Sequence, residues 1–265
     1  MSDYNFNDDL ELAQRMADAA RVAIKPYFRT KLDVENKLKQ GFDPVTLADK
    51  ASEKAMRSLL GAERPEDGIL GEEFGEKPSA NGRKWVLDPI DGTRAFIAGL
   101  PTWAVLIALS NGSKPHLGVI DQPHIGERFT GGPEGSFYHF GDQKSQIETR
   151  KSRSLSTAVM ATTDIGLFTA SEEVVFRQVL QTTQLCRYGY DAYAYAMLAM
   201  GGIDLVIESG LQSYDVQALI PVVEGAGGIV TNWQGGPAWE GGQVIASAHQ
   251  DLHDQALARL ETAAL

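Results

Sequence analysis

The stretch Trp85-Val86-Leu87-Asp88-Pro89-Ile90-Asp91-Gly92-Thr93 constrains this chain more tightly than any other. An apolar run stops abruptly at two carboxylates that bracket a proline. The pattern predicts a buried strand whose end aims Asp88 and Asp91 at a common point, with Gly92-Thr93 opening a helix. Backbone N–H groups and the helix dipole at such a junction favour a phosphate. Two carboxylates in the same place repel that phosphate unless cations sit between them. The stretch therefore implies a metal-dependent phosphate site, and the rest of the chain has to supply the other ligands.

Composition narrows the partners. With 265 residues, 43% of them hydrophobic, the chain can bury a sizeable core in one large domain or two closely joined halves. A formal net charge of -11 argues against non-specific nucleic-acid binding, which needs a basic face. An acidic protein still takes an anionic substrate where divalent ions reverse the local sign. Cys186 is the lone cysteine, which permits no internal disulfide and fits a reducing compartment. The Met1-Ser2-Asp3 start lacks the regions of a signal peptide, and no stretch is apolar enough to span a bilayer. The expectation is a soluble cytoplasmic protein with no membrane or nucleic-acid partner.

Helical spacing of Leu12, Met16, Ala20 and Ile24 predicts a first amphipathic helix from Asp8 to about Phe28. Asp43 and Pro44 read as the cap and first turn of a second helix running to about Leu60, with Asp49 roughly two turns inside. Gly68 to Glu73 reads as a short strand ending on Glu72 and Glu73, followed by a mobile loop from Gly75 to Gly82. Apolar runs from Trp103 to Ser136-Phe140, punctuated by Asn111-Gly112, predict an antiparallel meander. The polar stretch from Gly141 to Ser156 reads as a boundary between an α+β half, residues 1–145, and an α/β half, residues 146–265. In the second half, strands near Val159, Leu185, Ile203, Gly228 and Val244 alternate with helices, one of them from Asp215 to about Gly225.

Each acid has an ordinary reading beside a chemical one. Asp88 and Asp91 suit a capping turn, Glu72 a solvated strand end, Asp49 an exposed helix position, and Asp215 an N-cap. Taken together they form an oxygen-only set with no histidine or cysteine among them, the kind that hard Mg²⁺ prefers over zinc. The carbonyl of Ile90, between Pro89 and Asp91, offers one more oxygen, and the Thr93 hydroxyl can bond an attacking water if Asp49 orients it. Several carboxylates around a phosphate-sized gap suit two-metal hydrolysis of a phosphate ester.

Four motifs in order over nearly the whole chain resemble the Mg²⁺-dependent, lithium-sensitive inositol monophosphatase family. They are Asp43-Pro44-Val45-Thr46-Leu47-Ala48-Asp49, Gly71-Glu72-Glu73, the Trp85-to-Thr93 stretch, and Tyr214-Asp215 followed by Glu224-Gly225-Ala226-Gly227-Gly228. The resemblance implies a layered αβαβα sandwich. It implies two or three Mg²⁺ ions on Glu72, Asp88, Asp91, Asp215 and the Ile90 carbonyl, with Asp49, Glu72 and Thr93 activating water. It also implies phosphate contacts from Gly92 and Thr93, a small phosphate monoester as substrate, and a homodimer.

Tyr214, where the family usually has Trp, and the run from Gly189 to Tyr195 resemble the histidinol-phosphatase branch more than the inositol branch. Histidinol phosphate carries an ammonium and an imidazole, and Asp191 and Glu208 fall where the family contacts substrate. Asp191 alone equally suits a cap for the helix from Ala192. The expected reaction is hydrolysis of histidinol phosphate by direct water attack without a phosphoenzyme. The alternatives are another small phosphomonoester, such as an inositol phosphate, and a non-catalytic relative that binds metal and ligand.

Overall fold

The computed structural model describes residues 5–31, 35–36, 44–112 and 114–263. Asn5 caps the first helix, α1 (Phe6–Ile24), by accepting the Asn7 N–H at 3.2 Å. Leu12, Met16, Ala20 and Ile24 form its buried face, as their spacing predicts. Two-residue strands β1 (Glu35–Asn36) and β2 (Pro44–Val45) pair antiparallel.

The second helix, α2 (Leu47–Glu63), starts later than the sequence suggests. Its cap is Thr46, and the predicted cap, Asp43, lies outside the described residues. The fixed φ of Pro44 suits an extended strand as well as a helix start. Thr46 and Asp49 form the capping box, which puts Asp49 in the first turn and not two turns inside.

Next come β3 (Gly68–Gly71), β4 (Gly75–Lys77), β5 (Lys84–Asp91) and the short helix α3 (Thr93–Ile97). The segment expected as a mobile loop carries β4, held by Lys77 Nζ donating to the carbonyls of Pro65 at 2.6 Å and Asp67 at 2.9 Å. The predicted meander follows as β6 (Ala104–Ser110), β7 (Pro115–Gln122), β8 (Glu127–Gly132) and β9 (Gly135–Phe140). The polar stretch read as a boundary adds a further edge strand, β10 (Gln143–Ile147). The eight strands run in the order β10-β9-β8-β7-β6-β5-β3-β4.

The chain continues through β11 (Val159–Thr162), α4 (Ala170–Leu180), β12 (Leu185–Tyr188), α5 (Ala192–Ala199) and β13 (Leu205–Leu211). Then come α6 (Ser213–Val216), α7 (Leu219–Gly225), β14 (Ile229–Asn232), β15 (Gly242–Ser247) and α8 (Gln250–Leu260). The single helix expected from Asp215 to Gly225 is thus two short ones. These five strands form a second mixed sheet, ordered β12-β11-β13-β15-β14.

Residues of β6 alternate between two cores, as a strand buried on both faces requires. Val105 and Ile107 pack with Leu12, Met16 and Met56 of α1 and α2. Leu106 and Ala108 join Leu198 of α5 and Val222 of α7 in the core between the sheets. Phe176 of α4 and Leu252 of α8 cover the far side of the second sheet. The result is an αβαβα sandwich. Among the described residues no helix is long and apolar enough to cross a membrane.

Candidate metal centre

Strand β5 is fixed at its start and distorted at its end. Trp85 Nε1 donates to the buried Asp67 carboxylate at 2.8 Å, which sets the register of the apolar run. Pairing with β6 then shifts between Asp88 and Asp91. Pro89, with no N–H to give to a ladder, lies at the shift, and Asp88 Oδ1 accepts the Ile90 N–H at 3.0 Å across it. The Pro89 carbonyl accepts from Ser52 of α2 at 3.3 Å. This irregularity is what turns the two acids toward one cavity.

Asp215 reaches the same place from α6. It occupies the third helical position and not the N-cap, its Oδ2 accepting the Gln212 N–H at 2.6 Å. Asp88, Asp91 and Asp215 each offer a carboxylate oxygen within 4.8 Å of the others. Glu72 joins them because its N–H donates to the Leu87 carbonyl at 3.2 Å, continuing the parallel β3–β5 pairing one residue beyond the strand. Burial first, then the charges of Glu72, Asp91, Asp215 and Asp49, push Asp88 well above the usual carboxylate range. Burial, then Asp191 and Asp215, do the same to Asp91. A set of mutually repelling, oxygen-only donors, Asp88 buried and Asp91 and Asp215 half-buried, fits a hard divalent cation such as Mg²⁺, whose charge removes the repulsion.

The cavity has a volume of about 260 Å³ and brings together Glu72, Asp88, Ile90, Asp91, Gly92, Thr93, Asp191, Glu208 and Asp215. Asp49 does not line it; it is buried in the first turn of α2, where its Oδ2 accepts from Thr46 N at 2.8 Å and Thr46 Oγ1 at 2.6 Å. Thr93 Oγ1 donates to the Ile90 carbonyl at 3.1 Å.

Asp191 stands at the N-cap of α5, yet its side chain makes no capping bond. Asp91 accepts the Ala192 N–H instead, at 2.6 Å. The Asp191 backbone has φ 48°, a left-handed value rare for a residue with a Cβ, and its carboxylate lies over Gly92. A Cβ on Gly92, itself at φ 80°, would sit 2.8 Å from Asp191 Oδ2. Burial raises Asp191 to about 6, opposed by Arg94. Glu208 is buried at the far wall and accepts from Thr163 N at 2.8 Å and Thr163 Oγ1 at 2.9 Å. Burial pushes it up to about 8, with Asp191 adding to the effect and Thr163 opposing it.

Sequence reasoning missed Arg94, Thr163 and Tyr195, which also line the cavity. Arg94 adjoins the central motif and was within reach of a local argument. Thr163 and Tyr195 come from β11's end and α5, and only the sheet-to-sheet packing brings them here.

An αβαβα sandwich with an acid cluster at a distorted strand end is the architecture of a class of phosphatase hydrolases. The chain belongs to the inositol monophosphatase family, whose profile matches residues 7–264. It is 41% identical to the chloroplastic bifunctional phosphatase IMPL2 of Arabidopsis thaliana, over 98% of this chain and 77% of that protein. It is 35% identical to a histidinol-phosphatase of Chlorobaculum parvum, over 92% of this chain and 93% of that one. A solved inositol monophosphatase from Zymomonas mobilis superposes with a TM-score of 0.87 at 42% identity, covering 97% of this chain and 99% of that chain.

Proposed function

We propose that this phosphatase hydrolyses L-histidinol phosphate to L-histidinol and phosphate, using Mg²⁺ held by Glu72, Asp88, Asp91, Asp215 and the Ile90 carbonyl. The observation that carries the substrate is the pair Asp191 and Glu208. Both are carboxylates on the wall of the acid-lined cavity, Glu208 buried and Asp191 half-buried, and both are raised by the loss of water around them. A substrate bearing an ammonium or imidazolium relieves that cost, since an opposite charge favours the ionised carboxylate. A polyol offers only hydroxyls. The likeness to a histidinol-phosphatase over 92% of the chain supports the same reading.

When bound, the divalent ions supply positive charge for the phosphoryl oxygens and make water more acidic. The chain's own groups do the rest. Gly92 and Thr93 present backbone N–H groups to the phosphate. Thr93 Oγ1 accepts a hydrogen bond from the attacking water and orients it, Glu72 takes up its proton, and Asp49 adds negative charge behind Asp88. Asp191 and Glu208 hold the cationic end of the substrate so that the scissile bond lies over the acid cluster.

A second reading is an inositol phosphate as substrate, which the likeness to the Zymomonas mobilis inositol monophosphatase favours. The deciding experiment compares kcat/KM for histidinol phosphate, inositol 1-phosphate and an adenosine bisphosphate in Mg²⁺. Histidinol phosphate should lead by at least about 10-fold, the discrimination that one charged hydrogen bond provides. Equal or reversed values with inositol 1-phosphate overturn the assignment.

A further inference from the structure

Helix α2 bonds the backbone beside the acid cluster through Ser52 and Glu53, and the less obvious of the two is Glu53. This carboxylate is fully buried and does not line the cavity. Its Oε2 accepts the backbone N–H of Glu73 at 2.7 Å, and its Oε1 accepts that of Phe74 at 3.2 Å. Arg57, one turn on, donates to Oε1 through Nε at 2.7 Å and reaches the Gly75 carbonyl with its other arm. The Arg57 guanidinium also lies over the Phe74 ring, 6.0 Å from its centroid. Gly71 leaves room for this arrangement: a Cβ there would fall 1.9 Å from Glu53 Oε1.

The side chain thus grips the turn from Gly71 to Gly75 by its backbone, from the side opposite the cavity. Glu72 is the residue of that turn whose carboxylate faces the acid cluster. A carboxylate accepting two backbone N–H groups while paired to an arginine is a strong, directional anchor. Ser52, the adjacent residue of α2, bonds the Pro89 carbonyl in the strand distortion between Asp88 and Asp91. One helix face therefore registers Glu72 against the β5 acids.

We propose that Glu53, held by Arg57, is a positioning residue that fixes Glu72 for the divalent cation. The inference rests on the metal reading above and is independent of which phosphate ester is the substrate. Partners that orient ligands in this way typically contribute about 10–100-fold in metal affinity.

The test titrates Mg²⁺ calorimetrically into the full chain without substrate, for the wild type, Glu53→Gln, Glu53→Ala and Glu63→Ala. Unfolding temperatures in chelator run alongside. Glu53→Gln keeps the size and one acceptor but loses the second acceptor and the charge that Arg57 pairs with. It should bind Mg²⁺ at least about 10-fold more weakly while unfolding cooperatively in chelator, with kcat recovering at saturating Mg²⁺. Glu63→Ala removes an ion pair to Arg15 elsewhere on α2 and should leave Mg²⁺ affinity within about two-fold, the size of an exposed pair. Should Glu53→Ala fail to fold, the Gln variant carries the comparison. Unchanged Mg²⁺ affinity in a folded Glu53→Gln overturns the positioning role alone. A wild type that binds no Mg²⁺ overturns the metal reading and this role with it.

Discussion

The carboxylate of Asp91 accepts the backbone N–H of Ala192 at 2.6 Å, so that an acid at the end of a first-sheet strand caps a helix in the layer between the sheets. Asp191, which occupies the cap position itself, is thereby left to face Gly92 and the cavity. One hydrogen bond couples the acid cluster to the cavity wall that carries Asp191.

Two substitutions at Asp91 separate its roles. Asparagine keeps an oxygen that can accept the Ala192 N–H but removes the charge; alanine removes both. Each should lower phosphate release in Mg²⁺ by at least about 100-fold, the upper end of what loss of even an outer partner of a metal costs. In chelator, Asp91→Ala should lose about 1 kcal/mol of stability relative to Asp91→Asn, the usual worth of a helix cap. Equal unfolding temperatures for the two variants would show that the cap does not matter to the fold.

Substrate choice should be separable from catalysis at Asp191 and Glu208. Asp191→Asn and Glu208→Gln are expected to reduce kcat/KM for histidinol phosphate by about 10–100-fold, the value of one charge-assisted hydrogen bond of roughly 1.5–3 kcal/mol. Turnover of β-glycerophosphate, which has no cationic group, should stay within a few-fold of wild type. If both substrates fall together, these residues support the site and do not select its occupant.

The site was legible in the sequence where chemistry and local pattern coincide. Asp88, Asp91 and Glu72 end apolar runs, and the cavity gathers all three. Pattern failed where the signal was short or polar. Edge strands β4 and β10 are made of residues such as Glu76, Lys144 and Gln146, whose ladder bonds leave no apolar alternation to read. The start of α2 was misjudged because Asp43-Pro44 and Thr46-x-x-Asp49 are both helix-start signals, and only the second operates within the described residues. Long-range relations such as Asp91 to Ala192, or Glu53 to the Glu73 N–H, have no local signature at all.

Glu208 gives a pH signature with a definite sign. Its carboxyl is raised from the ordinary 4.5 to about 8, chiefly by burial. A raised carboxyl contributes stability that is complete below the unfolded value and is lost as the pH climbs to the folded one. In chelator and without substrate, wild type should therefore lose stability relative to Glu208→Gln between about pH 4.5 and 8. The limiting slope is about 1.4 kcal/mol per pH unit for one proton, and the difference should level off at higher pH. Chemical denaturation of both proteins from pH 5 to 9 measures it. A difference independent of pH would mean that Glu208 is ionised throughout.

The contact between α7 and the first sheet should be the least tolerant part of the sandwich. A Cβ on Gly118 of β7 would stand 2.1 Å from the Ala218 carbonyl oxygen, and one on Gly131 of β8 would stand 2.3 Å from that of Pro221. Both obstacles are backbone, which cannot rotate aside as a side chain can. Neither glycine is in the left-handed region, so space and not backbone conformation demands them. Gly118→Ala and Gly131→Ala should each cost about 1–3 kcal/mol or more by overpacking. Pushing α7 away from β7 and β8 also shifts α6, the adjoining helix that carries Asp215, so Mg²⁺ affinity should fall with stability. Gly61, on α2, has open space around its Cβ position, and Gly61→Ala there should instead stabilise the chain by up to about 1 kcal/mol. Unfolding temperatures of the three variants test the ranking, and a Gly118→Ala protein as stable as wild type would mean that α7 packs further from the sheet than this geometry requires.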